Sequence, residues 1–190
     1  MKQPAEWYDA VYATPGHYRQ GYAASPYLPI WREILRRMQA HQDASVVDLG
    51  CGPGQFARLL YDNGIKDYRG LDFSQEAIAV ARRVCPELTF EVADLTLPGW
   101  EDALGPCTTV VATEFLEHID EDVELLERIP KGKRVYLTVP DFMCGSHVRC
   151  FPQPADVTKR YSPLFTQSSV TALKRTAQEP YVFYLFEGIR

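Results

Sequence analysis

The chain has 190 residues, 46% hydrophobic and 24% charged, with a formal net charge of −5. That length suffices for one α/β domain with a full core, and the acidic balance speaks against nucleic acid as a partner, since a broad nucleic-acid footprint needs a basic surface. No apolar run approaches membrane-spanning length, the opening MKQPAEWYDAVY lacks the apolar stretch of a signal peptide, and the five cysteines (Cys51, Cys85, Cys107, Cys144, Cys150) show no paired spacing. A disulfide framework and a membrane anchor are therefore not expected, and a reducing cytoplasm is.

Residues 1–27 are rich in aromatics (Trp7, Tyr8, Tyr12, Tyr18, Tyr22, Tyr27) around Pro15-Gly16 and carry no clear period, which suits either a lid over a pocket or a wrap on the core. A helix is expected over 29–41, with Ile30, Ile34, Leu35 and Met38 inward and Arg32, Arg36 and Arg37 outward. Strands and helices then alternate. Val46, Val47 and Leu49 suit a buried parallel strand, and Phe56, Leu59 and Leu60 the helix after it, closed by Asn63-Gly64. Further strands are expected over 68–71, 88–92, 108–112 and 134–139. Ser74 caps a helix running to Val84, and an acidic helix spans 120–128. A loop, a short helix over 155–161 and two strands, 170–175 and 181–187, complete the chain. Repeated β-α units predict a doubly wound, mainly parallel sheet with helices on both faces. One domain covers 1–190: a lid and helix segment (1–43), a cofactor-binding core (44–140), and a substrate loop with the last strands (141–190).

The chemistry starts at VVDLGCGPG, residues 46–54. Glycines at 50, 52 and 54 let the backbone turn sharply and approach a ligand closely, at a strand end facing a helix N-terminus. Gln55 stands where a dinucleotide-binding fingerprint would place its third glycine, which disfavours a nicotinamide or flavin. Carboxylates close four successive strands: Asp48, Asp72, Asp94 and Glu114. Asp72, 22 residues after Gly50, can accept both hydroxyls of a ribose, and Asp94 can accept from an adenine amino group.

VVDLGCGPG, GLDFS (70–74), ADLT (93–96) and EFLEHI (114–119) together resemble the ordered motifs of class I S-adenosylmethionine-dependent methyltransferases. The resemblance covers residues 44–140. It implies a seven-stranded sheet whose last strand is antiparallel, with S-adenosylmethionine across the ends of the first four strands. It also implies a cofactor set of Asp48, Gly50, Cys51, Gly52, Gly54, Asp72, Phe73, Ser74, Asp94, Leu95 and Glu114. In that set Asp48 orients the methionine amino group, Phe73 lies beside the adenine, and Leu95 reads its edge with Asp94. Cys51 also reads simply as a small residue in a tight turn.

EFLEHI brings Glu114, Glu117 and His118 within one helical turn. The pattern is similar to two metal-dependent groups, the O-methyltransferases of ubiquinone biosynthesis and the small-RNA 2′-O-methyltransferases, which bind a divalent cation through two Glu and a His. After the fifth strand, VPDFMCGSHVRCF places His147 and Arg149 over the same edge, with Phe151 completing an H-x-x-x-F arrangement similar to one in those groups. Three readings stand: Glu117, His118 and His147 as catalytic groups lining the substrate; Glu114, Glu117, His118 and His147 as ligands of Mg²⁺ or Mn²⁺; or a metal-free base. Glu117 and His118 could also merely pair at a helix start. Cys144-x-x-His147-x-x-Cys150 lacks a second ligand pair for zinc. Tyr18, Tyr22, Tyr27 and Arg149 are the expected substrate contacts.

The expected reaction is in-line methyl transfer to a small-molecule acceptor at oxygen. The alternatives are a metal-dependent RNA 2′-O-methyltransferase and a non-catalytic S-adenosylmethionine-binding protein of the same fold.

Overall fold

The computed structural model describes residues 3–14 and 16–190; Pro15, half of the expected Pro15-Gly16 turn, lies outside them. The elements in chain order are α1 (Ala5–Ala13), α2 (Leu28–His41), β1 (Ser45–Leu49), α3 (Gln55–Asp62), β2 (Asp67–Asp72), α4 (Gln75–Val84), β3 (Thr89–Val92), β4 (Thr109–Thr113), α5 (Asp122–Arg128), β5 (Arg134–Pro140), α6 (Pro154–Tyr161), β6 (Gln167–Leu173) and β7 (Phe183–Ile189). Seven strands form one sheet in the order β3-β2-β1-β4-β5-β7-β6. The first five are parallel, β7 runs antiparallel to β5, and β6 pairs antiparallel to β7. Among the described residues no helix is long and apolar enough to cross a membrane.

Alternating side chains split the core into two layers. Val46, Tyr68 and Tyr136 face α2, α3 and α4, packing with Ile34, Met38, Leu60 and Ile78. Val47, Leu49, Val110 and Leu137 face the other way, onto Leu125, Val157 and Tyr161. The strand order reverses between β1 and β4, which open to opposite sides. A crevice at the C-terminal ends of these strands follows from that topology.

Local chemistry sets the helix ends. Ser74 Oγ accepts from Ala77 N at 3.0 Å, capping α4 as expected. Gly64, at φ +91°, turns the chain after α3, with Gly64 N on Tyr61 O (3.0 Å) and Ile65 N on Leu60 O (3.0 Å). Two departures stand out. The last two strands lie at 167–173 and 183–189 rather than 170–175 and 181–187. β6 is a largely exposed edge strand whose register, Gln167 opposite Ile189, comes from β7. The segment before α2, expected as a lid or wrap with no clear period, contains α1, a helix with no fully buried residue.

Gly54 sits at φ +80°, where a Cβ would lie 3.0 Å from Ala81 Cα and Cβ, so α3 and α4 approach closely there. Gly54→Ala is expected to cost about 2–4 kcal/mol, combining left-handed strain with overpacking. Urea unfolding measures this, and a loss under about 0.5 kcal/mol would mean that the helices part freely.

Candidate functional site

The loop after β1 folds over the end of β2. Gly50 N and Cys51 N both donate to Leu71 O (2.8 and 3.0 Å), and positive φ at Gly50 and Gly52 makes that turn possible. A Cβ on Gly50 would lie 2.6 Å from Phe115 Cγ, so the loop also needs glycine to pass the segment after β4. Asp72 ties the two strand ends together: Oδ2 accepts from Gly52 N and Oδ1 from Ser74 N, each at 2.9 Å. Burial still pushes its carboxyl up to about 6, against those two bonds.

Beyond the loop lies a cavity of about 500 Å³. Gly50, Cys51, Gly52, Asp72, Phe73, Asp94 and Leu95 line one part; Glu114, Glu117, His118 and His147 line another, with Tyr18 and Tyr27. Asp94 also caps its own turn, Oδ1 accepting from Thr96 N (2.9 Å) and Thr96 Oγ1 (2.7 Å). Strand-end carboxylates thus serve turns and cavity at once.

Glu114 adopts φ +52°, a left-handed conformation that a non-glycine residue holds only under constraint. Its N–H donates to Thr138 Oγ1 (3.0 Å), and that hydroxyl donates to Glu114 Oε1 (2.9 Å). The turn drives the following residues back under the cavity. Glu117 is wholly buried, and among the described residues neither carboxylate oxygen has a hydrogen-bond partner. Burial, reinforced by Glu114, raises its pKa well above the carboxylate range. His118 Nδ1 meets Ser146 O at 3.1 Å, and His147 Nδ1 meets Phe142 O at 3.0 Å. A carbonyl can only accept, so each Nδ1 carries hydrogen and each Nε2 a lone pair. Burial pushes His118 down to about 4 and lowers His147 as well, so both rings are neutral near pH 7. Their centroids lie 4.8 Å apart, and His118 Nε2 is 3.8 Å from Glu117 Oε1.

Five expected contacts lie elsewhere. Asp48 points to the opposite sheet face from Val47 and Leu49; it is buried beneath the loop and accepts from Tyr68 Oη at 2.7 Å, outside the cavity wall. Gly54 packs on Ala81, and Ser74 caps α4 and donates to Asp9 Oδ1 at 2.5 Å. Tyr22 turns its hydroxyl to Asp62. Arg149 faces inward as a clamp, donating to Leu116 O and Ile119 O (2.5 Å each) and pairing with Asp122 at 3.2 Å. Asp122 in turn holds Arg160 and Tyr161. Arg149 therefore fixes the segment carrying Glu117 and His118. Glu114 lines the cavity but falls outside the cluster that could hold a metal, in which ligand atoms of Glu117, His118 and His147 lie within 4.8 Å of one another.

Three lining residues outside the expected contacts are Tyr8 and Tyr12 on α1 and Phe142 in the loop after β5. Tyr8 stacks edge-on against Phe73 (5.2 Å) and His118 (5.9 Å), and Tyr12 Oη lies 3.5 Å from the Cβ position of Gly52. Phe142 sits 5.5 Å from His147. α1 is anchored where Asp9 Oδ1 also accepts from Glu76 N (3.1 Å) and where Arg19 pairs with Glu76 (2.6 Å). Its aromatics face a void rather than a core, so no apolar period marks it.

A family described as methyltransferase domains matches residues 16–171. The chain belongs to this family. The seven-stranded, mainly parallel sheet is the class I, S-adenosylmethionine-dependent architecture that the strand-end motifs implied. Among curated relatives, a trans-aconitate 2-methyltransferase of Delftia acidovorans is 35% identical over 100 residues, 51% of this chain and 37% of that one. A malonyl-[acyl-carrier protein] O-methyltransferase of Pectobacterium atrosepticum is 27% identical over 157 residues, covering 81% and 60%. The chain thus spans 37% and 60% of the length of these two relatives, less than two thirds of either. The solved magnesium protoporphyrin IX methyltransferase of Synechocystis, with bound SAH, superposes with a TM-score of 0.64 at 18% identity, covering 87% and 84%.

Asp48 unfolds into water with an ordinary pKa of 3.8, whereas burial holds it near 7 in the folded chain. Its contribution to stability is full below 3.8 and is lost as pH rises through about 7. Asp48→Asn should flatten that decline in unfolding free energy between about pH 4 and about pH 8. An unchanged slope would place the ionisation elsewhere.

Proposed function

We propose that the protein transfers the methyl group of S-adenosylmethionine to a hydroxyl oxygen of a small molecule. One observation carries this reading: a single cavity joins the acceptor-rich strand ends, Asp72 and Asp94, to the buried Glu117–His118–His147 cluster. The lid segment 1–43, the core 44–140 and the loop and strands 141–190 act as one unit around that cavity.

The donor supplies a methyl group on a positively charged sulfur, and the charge is lost as the methyl leaves. A cavity that excludes water favours that loss of charge. Asp72 would take the ribose hydroxyls on the lone pairs left by its two backbone bonds, with Phe73 beside the adenine and Asp94 and Leu95 at its edge. Gly50, Cys51 and Gly52 admit the methionine end where side chains would block it. With the donor bound, His118, neutral with a lone pair on Nε2, would accept the acceptor's hydroxyl proton. Arg149 holds that base in place.

His118→Ala is expected to lower kcat by about 10²-fold or more while cofactor affinity stays within about twofold. Turnover assays and calorimetry read the two separately; unchanged turnover removes His118 from the mechanism.

The clustering of three candidate ligands, among them Glu117 without a partner among the described residues, supports a second reading, a divalent cation held by Glu117, His118 and His147. A bound cation would acidify the acceptor hydroxyl in place of a base. With Glu114 turned to Thr138, two imidazoles and one carboxylate suit Mn²⁺ better than Mg²⁺, which prefers all-oxygen sites. Titrating Mn²⁺ should then broaden the imidazole NMR signals of His118 and His147 at stoichiometric metal. Absence of broadening leaves the metal-free base.

A further inference from the structure

The glycine loop that faces the donor's methionine end has committed its own N–H groups. Gly50 N and Cys51 N donate to Leu71 O, Gly52 N to Asp72 Oδ2 and Gly54 N to Cys51 O (3.3 Å), and Pro53 has no N–H to give. Asp48, the acid expected beside this end, lies beneath the loop on Tyr68. A donor stands on the other side of the gap, on α1. Among the described residues, a Cβ built on Gly52 would meet within 4 Å only Tyr12 beyond its chain neighbours, with Oη at 3.5 Å and Cζ at 3.9 Å. The space above Gly52 is thus open up to that hydroxyl. Tyr12 is held through its backbone, its carbonyl accepting from Arg19 Nε at 2.7 Å, while its hydroxyl has no hydrogen-bond partner among the described residues. Tyr8 stacks beside the ring at 6.3 Å and Tyr18 meets it edge-on at 5.2 Å, which fixes its direction. Burial, with Asp72 close by, raises the Tyr12 hydroxyl well above the usual phenol range, so it keeps its hydrogen and donates.

We infer that Tyr12 donates a hydrogen bond to the carboxylate at the methionine end of the methyl donor, and that this contact fastens α1 over the cavity. The inference rests on the methyltransferase reading and deepens it. The methionine end carries an ammonium and a carboxylate. The ammonium needs acceptors, and the cavity lining includes the carboxyl groups of Asp72 and Glu114. The carboxylate needs a donor, and a hydrogen bond to a charged group is among the stronger kinds. α1 has no fully buried residue; polar contacts hold it, Asp9 on Ser74 and Glu76, and Arg19 joining Tyr12 O to Glu76. A helix so lightly packed belongs to the low-stability end of a fold and gains most from one further bond. The sheet then grips the adenosine end of the donor and the helix above it grips the amino-acid end, so one ligand ties the two together.

The test compares S-adenosylhomocysteine with its decarboxylated analogue, which keeps the ammonium and lacks only the carboxylate, by calorimetry on the full chain. The unaltered protein is expected to favour S-adenosylhomocysteine by about tenfold or more, the size of a hydrogen bond to a charged group. Tyr12→Phe should shrink that preference to below about threefold, weakening S-adenosylhomocysteine while the analogue stays within about twofold. Hydrogen exchange gives a second reading that needs no variant: at saturation, S-adenosylhomocysteine should slow the amides of α1 at least about threefold more than the analogue does. A preference unmoved by Tyr12→Phe, equal weakening of both ligands, or equal protection of α1 by both overturns the inference. Failure of S-adenosylhomocysteine itself to bind the unaltered protein is a different result, and it overturns the methyltransferase reading beneath.

Discussion

Much of this molecule hangs on one carbonyl. Leu71 O, at the end of β2, accepts both Gly50 N and Cys51 N, and so bends the chain leaving β1 across its neighbour. That bend brings Gly52 N to Asp72 and sets Gly50 against Phe115, which belongs to the segment after β4. Three strand ends are thereby tied together by backbone bonds to Leu71 O, by the short Asp72 carboxylate and by the Phe115 ring. Backbone bonds of this kind lose little conformational freedom beyond what the sheet has already taken, so the crevice is rigid where the ligand must be placed. The floor of the cavity is consequently part of the sheet.

Much of this frame was legible in the amino-acid order because the signals are local. The cap at Ser74, the Asn63-Gly64 stop and the carboxylates at 72 and 94 depend on neighbours within a few residues. The placements that differ from expectation depend on which way a side chain turns. Asp48 reads like the other strand-end acids, yet the pleat sends it beneath the loop to Tyr68. Arg149 stands two residues from a cavity histidine, yet it points back to the carbonyls of Leu116 and Ile119. Glu114 was separated from Glu117 by a left-handed backbone that no spacing rule foresees. The bounds of β6 and the helix α1 depend on distant partners: one takes its register from β7, and the other packs its aromatics on a void.

The cluster at Glu117 shows what burial does when the protein does not complete the hydrogen bonding itself. A carboxylate with no exposed surface and no protein partner is costly, and folded chains rarely keep one without use. Around it, two imidazoles are fixed by backbone carbonyls, and Arg149 with Asp122, Arg160 and Tyr161 holds the loop from below. Stability spent on one wall is thus recovered in another: an unsatisfied glutamate above, a fully satisfied ion cluster beneath. The pairing keeps the unsatisfied group in one orientation.

Asp9 adds a different kind of consequence. It accepts from Ser74 Oγ and Glu76 N at the start of α4, two residues beyond the carboxylate of Asp72. The roof helix is therefore bolted to the same turn that forms part of the floor. A roof and floor sharing one hinge move together, so whatever loosens the N-terminal segment also loosens the grip on Asp72. Grafting this sheet into another protein without its first helix would transplant a shelf, not a pocket.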